Sequence, residues 1–78
     1  MDGEMSNEDI NYQKAIVLLN ENSIVHVSLK NRQWYNGRLF RVTKDYLVIH
    51  DREEGRKTVF FVELKSIDVY KSGEEKNG

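Results

Sequence analysis

Between Lys30 and Arg41, four basic side chains (Lys30, Arg32, Arg38 and Arg41) interleave with Trp34, Tyr35 and Phe40. Basic groups hold a phosphate backbone and aromatic faces stack on unpaired bases, so the stretch carries the residue types of a single-stranded nucleic-acid surface. The same residues also suit a packed strand, with Trp34 as a lid and the arginines on the wet face. Thr43-Lys44-Asp45-Tyr46 is a second candidate. In this short turn Tyr46 can stack on a base and Lys44 can meet a phosphate, whereas ordinary strand propensity places Tyr46 in the core or at its rim. The third candidate is Val59-Phe60-Phe61-Val62. Four consecutive apolar residues load both faces of one strand, and the face turned away from the core needs a cover. Either the chain's own helix or a neighbouring subunit can supply it. A small core favours the subunit, because association helps offset the cost of ordering the chain. Val59, Phe60, Phe61 and Val62, with Ile67 and Val69 from the last strand, are the expected self-association residues.

Catalytic chemistry is thinly represented. The chain has no Cys and no Gly-rich phosphate loop between a strand and a helix. Serines, His26, His50 and Asp51 supply the residue types of a Ser-His-Asp relay, but a domain this small has little room for a sequestered pocket. Zinc needs three or four ligands, and His26 and His50 with Asp51 or Glu63 reach that number only by a coincidence of folding. The expectation is a binding module without a cofactor or a metal, and not an enzyme.

With 78 residues the chain holds one domain whose core is small. The lack of Cys removes any disulfide framework and points to a reducing, cytoplasmic setting. No apolar run approaches the roughly 18 residues of a membrane span, and Met1–Ile10 is acidic and polar, unlike a signal peptide. The net charge of −1 is unevenly spread: residues 12–71 carry eleven basic against seven acidic side chains, between two acidic ends. Such a mildly basic body attracts phosphates.

The elements that must position these groups follow from periodicity. Residues 1–6 form an acidic lead expected to be disordered. Ser6 caps a helix over Asn7–Leu19, with Glu8 and Asp9 at its positive end and Ile10, Lys14, Val17 and Leu18 near one stripe. Asn20-Glu21-Asn22 ends it. From Ser23 the period becomes two, and Val25, Val27 and Leu29 face inward. Trp34–Thr43 is a longer strand whose Gly37 marks a bend or a close backbone approach. Tyr46–Asp51 is the third strand, and Arg52–Arg56 is a charged hairpin tip with Gly55 for a positive φ. Lys57–Val62 is the fourth strand and Ile67–Tyr70 the fifth, with Glu63–Ser66 as the link. Residues 72–78 are a polar tail. One helix and five short strands predict a mainly β domain over 7–71, a strongly bent antiparallel barrel, closed or nearly so.

The helix, the run Val25–Asn31, the segment Tyr35-Asn36-Gly37-Arg38-Leu39 and the hydrophobic strand after it resemble the first motif of the Sm and Sm-like RNA-binding proteins. The resemblance covers about Tyr12–Tyr70. It implies a helix-capped, SH3-like five-stranded barrel that assembles through its fourth and fifth strands into rings of six or seven and binds single-stranded, often U-rich, RNA. Departures fall in the family's base pocket. Thr43 stands where the family has Asp, Asp45 at its stacking position, Leu47 at its uracil-reading Asn, and Glu63-Leu64 at the pair that closes the second motif. The resemblance places RNA contacts at Lys44, Tyr46 and Lys65, with Arg38 and Arg41 nearby. The order of elements is also similar to the C-terminal barrel of bacterial ribosome maturation factors. That likeness implies an alternative: an assembly module that docks to a protein partner without reading RNA.

Overall fold

The computed structural model describes residues 5–70. The expected acidic lead, apart from Met5 and Ser6, and the expected polar tail lie outside the described residues. Helix α1 spans Asn7–Glu21, and the Ser6 hydroxyl accepts from the Asp9 amide at 3.1 Å. Glu8 and Asp9 sit in the first turn, where they complement the helix dipole. The helix runs two residues past the expected end and stops at Asn22, which takes a left-handed conformation with φ 57°. Asn tolerates that region because its short polar side chain bonds locally.

The buried helix face differs from the expected stripe. Asn11, Ala15 and Leu18 are buried, whereas Ile10 and Val17 stand in solvent. The spacing of four and three residues keeps Asn11, Ala15 and Leu18 on one line down the helix. Asn11 can be buried because its side-chain amide donates to the Lys65 carbonyl at 3.4 Å, and Asn7 donates to the same oxygen at 3.4 Å.

Five antiparallel strands follow: β1 Ile24–Leu29, β2 Trp34–Val42, β3 Tyr46–Asp51, β4 Gly55–Phe60 and β5 Leu64–Val69. They form one bent, barrel-like sheet in the order β4-β3-β2-β1-β5. The mainly β, helix-plus-five-strand class is as expected, but the sheet is not closed: β4 and β5 are its two ends. The last strands also have different limits. The run read as one strand to Val62 stops at Phe60, and Phe61–Glu63 is a 3-10 turn. β5 accordingly begins three residues earlier than expected, at Leu64. The turn resolves the excess of apolar residues by splitting it. Phe60 stays outside, while Phe61 swings inward to an edge-on contact with Tyr12 of α1.

The core lies between α1 and the inner sheet face. Val25, Val27, Leu39, Leu47, Ile49, Val59, Leu64 and Ile67 meet Ala15 and Leu18 there. β1 supplies every second residue to it, as its alternation predicts. At Gly37 the backbones of β2 and β3 approach so closely that a Cβ would fall on the carbonyl oxygen of His50. Three residues on, the β2–β3 register shifts: Leu39 pairs with Ile49 and Arg41 with Val48, leaving Phe40 as the extra residue of a bulge.

Candidate functional site

The outward face of the sheet is built by register. Ile24 on β1 lies opposite Arg38 on β2, Arg38 opposite His50 on β3, and His50 opposite Arg56 on β4. Antiparallel partners share a face, so these four residues form one row across four strands. Two arginines flank an imidazole in it. Phe40, two residues after Arg38 on β2, stands on the same face beside this row, and the Arg56 guanidinium lies 3.9 Å from the Phe40 ring centroid. That contact pins a cation over an aromatic face. At the other end of the row, Arg38 donates to the Asn22 carbonyl at 2.6 Å, so the helix terminus fixes its guanidinium.

Ile24, Arg38 and His50 of the row line a cleft of about 400 Å³ together with Gly37, Phe40 and Arg52. Its lining is mainly apolar and its charged groups are all basic. Among the described residues, ion pairs join Lys14 to Asp68 at 2.8 Å and Lys57 to Glu54 at 2.9 Å. Neither pair neutralises the arginines of the cleft.

The hairpin carrying Arg52 is held by Asp51. Its carboxylate accepts from the Glu53 and Glu54 amides, both at 2.9 Å, and from the Asn36 amide at 3.3 Å. These amide bonds hold the carboxyl below the usual aspartate range, led by those from Glu54 and Glu53, with a smaller contribution from Lys57. The Lys57 ammonium is in turn held above the usual lysine range, chiefly by its hydrogen bond and ion pair with Glu54.

The expected contact residues fall into separate groups. Arg38 and Arg41 are exposed on β2, Arg38 in the row and Arg41 opposite Val48. Lys44 and Tyr46 lie at the β2–β3 turn, where Tyr46 meets Phe60 at 5.5 Å between ring centroids. The Asp45 carbonyl accepts from the Phe61 amide at 2.9 Å, so this turn is tied to the 3-10 turn. Lys65 sits on β5 at the far end of the sheet, with its carbonyl bound by the helix. Thr43 organises its own turn: its hydroxyl accepts from the Asp45 and Tyr46 amides at 3.2 and 3.1 Å. It thus takes the acceptor role open to an Asp at the same place.

The expected association residues divide equally. The side chains of Val59, Phe61 and Ile67 are buried in the chain's own core: Val59 lies on the inner face of β4, Ile67 pairs with the buried Val27 and the 3-10 turn points Phe61 inward. Phe60, Val62 and Val69 are exposed, at 44%, 59% and 44%. Val69 and Val17 line a shallow groove of about 330 Å³ between α1 and β5.

His50, Arg52 and Arg56 were not among the contacts expected from sequence. The signal lay in the hairpin: once Gly55 is opposite Asp51, His50 must face Arg56. A second polar cluster was also not anticipated. The His26 imidazole bonds Asn36 through Nδ1, and its Nε2 lies 3.2 Å from the Ser28 hydroxyl. Trp34, 58% exposed, lies 5.7 Å from the His26 ring, centroid to centroid. These bonds join β1 to β2 on the outer face. His26 and His50 lie on different strands, and among the described residues no three side chains of His, Cys, Asp or Glu converge as metal ligands would. No helix among the described residues is long and apolar enough to cross a membrane. No protein-family model matches the chain, and no curated protein matches it.

Proposed function

We propose that the chain is an Sm-like, RNA-associated protein that binds single-stranded RNA as a homo-oligomeric ring. The observation that carries this reading is the sheet order, which leaves β4 and β5 as unjoined borders of one bent sheet. Exposed strand borders are templates for pairing with another chain. When the β4 border of one copy meets the β5 border of the next, the contact is head to tail, and a bent subunit lets such contacts close into a ring. Apolar side chains stand at both borders: Phe60 and Val62 at the end of β4, and Val69 with Val17 beside β5. The basic and aromatic groups of the β2–β3–β4 face supply the phosphate and base contacts of a single strand. The absence of cysteine fits a reducing, cytoplasmic setting.

The test is the mass of the native particle together with RNA affinity over a salt series. A multiple of the chain mass, and affinity that falls steeply with salt, support the reading. Phe60→Glu and Val69→Glu are expected to reduce the particle to monomers. A monomer at all concentrations, or no RNA binding at low salt, overturns it.

A second reading is favoured by one observation, the exposure of Trp34. Exposed tryptophans often anchor protein contacts. On that reading the barrel docks to a protein partner through Trp34, and Trp34→Ala abolishes capture while leaving RNA affinity unchanged.

A further inference from the structure

We propose that the cleft between Arg38, His50 and Arg52 holds one nucleotide of a single-stranded RNA, its base over the apolar floor and its phosphate at the arginines. This inference rests on the RNA-binding reading above and names where on the chain the strand is held: the outward row of the sheet, away from the Lys44–Tyr46 turn and Lys65.

Three independent features point to this occupant. The first is size and shape. A concavity of about 400 Å³ falls within the roughly 300–1,000 Å³ of small-ligand sites. It is too small for a duplex, but it admits a splayed base, which only a single strand offers. The second is charge. Arg38 and Arg56 both stand directly opposite His50, and Arg52 follows two residues after it. Arg38 and Arg52 thus bring positive charge to the wall of the cleft. Among the described residues no carboxylate forms an ion pair with any of these three arginines. A phosphate meets that charge with charge-assisted bonds.

The third feature is the preparation of the walls. Arg38 is fixed by the Asn22 carbonyl through one nitrogen, which leaves most of its donors for a ligand. Phe40 lines the cleft while the Arg56 guanidinium lies over its ring. A base can therefore meet aromatic and guanidinium surface without a large rearrangement. Gly37 contributes backbone without a side chain, because β3 leaves no room for one there.

The experiment measures binding of a fluorescein-labelled, mixed-sequence single-stranded RNA dodecamer to the full chain by anisotropy at several salt concentrations. Arg38→Gln and Arg52→Gln are each expected to weaken binding at least about fivefold and to lower the salt slope by roughly one. Among the described residues the Arg52 side chain makes no hydrogen bond or ion pair, so its variant guards against a folding defect in the other. Uridine 5′-monophosphate is added as competitor. Displacement at millimolar concentration that is lost in Arg52→Gln supports a site for a single nucleotide. Loss of dodecamer binding in the variants without displacement by the monophosphate supports a site that needs the neighbouring phosphates of a strand. If the dodecamer binds and both variants bind as the parent does, while Lys44→Gln or Lys65→Gln is weakened, this site is overturned and the RNA reading stands. If the dodecamer does not bind at low salt, both fall. Displaceable monophosphate binding without dodecamer binding overturns the strand as the occupant.

Discussion

Tyr12 on α1 meets the Phe61 ring edge-on, with centroids 5.8 Å apart and planes at 87°. The pair joins the helix to the 3-10 turn between β4 and β5, and so fixes where the two sheet borders diverge. Its neighbour Phe60 belongs to the outer face, where its ring meets that of Tyr46. Two adjacent phenylalanines thus do different work.

Phe61→Ala is expected to cost about 3–5 kcal/mol, as for a buried aromatic residue truncated in a core. Phe60→Ala costs less than about 1 kcal/mol in the monomer, because Phe60 is exposed. Urea unfolding of both variants at micromolar concentration checks this. Equal losses would show that the turn does not separate the two residues.

Thr43 is the acceptor that closes the β2–β3 turn, and its hydroxyl also donates to the Tyr46 carbonyl at 3.1 Å. Thr43→Val keeps the shape and removes these bonds, at an expected cost of about 1–2 kcal/mol. Thr43→Asp restores an acceptor for both amides and is expected to remain within about 0.5 kcal/mol of the parent. Thermal unfolding of the two variants separates the hydrogen-bonding role from packing. A valine variant as stable as the parent removes that role.

Asp51 predicts an acid limb in the stability profile. Its native carboxyl is held below the ordinary aspartate value of 3.8, so the native state binds this proton less readily than the unfolded chain. The stabilisation is fully present above that ordinary value and is lost as pH falls through the lower native value. Asp51→Asn is expected to flatten the urea midpoint profile between about pH 5 and about pH 2 relative to the parent. Parallel profiles for parent and variant would show that the hairpin amides do not hold the charge.

Gly37→Ala places a methyl group on the His50 carbonyl and is expected to destabilise by about 1–3 kcal/mol or more, since backbone must move. Gly55→Ala meets no atom but carries the strain of φ 83°, at about 1–2 kcal/mol. Denaturation midpoints compare the two. A Gly37→Ala variant that unfolds with the parent would mean the strands can part there at no cost.

The strands were legible where alternation was strict. Val25, Val27 and Leu29 declare the inner face of β1, and Tyr46–Asp51 has the limits its β-branched and aromatic residues set. The helix start was legible through Ser6, whereas its end lies two residues beyond the expected Leu19 and its buried stripe was not legible. Apolar periodicity weights Ile10 and Val17, whereas the packed face uses a small residue, Ala15, and a polar one, Asn11, whose burial depends on a carbonyl 54 positions away. The run Val59–Val62 reads as one strand because hydrophobicity does not encode a 3-10 turn. Most of the outward row was hidden for a similar reason. Arg38 and Arg41 attract notice by composition alone, but Arg56 joins them only through the hairpin register. Phe40 shares their face by ordinary alternation, but its contact with Arg56 again depends on the hairpin register.

The close approach at Gly37 also bears on how any mutational survey of this chain is to be read. Position 37 lines a cleft, and intolerance there would ordinarily be credited to whatever the cleft holds. Here the neighbouring main chain already forbids every side chain, so a survey scored on growth or folding would rank glycine as indispensable even with an idle cleft. Arg52 is the position whose sensitivity carries information about a bound molecule, because it lines the cleft, is exposed and, among the described residues, its side chain makes no hydrogen bond or ion pair.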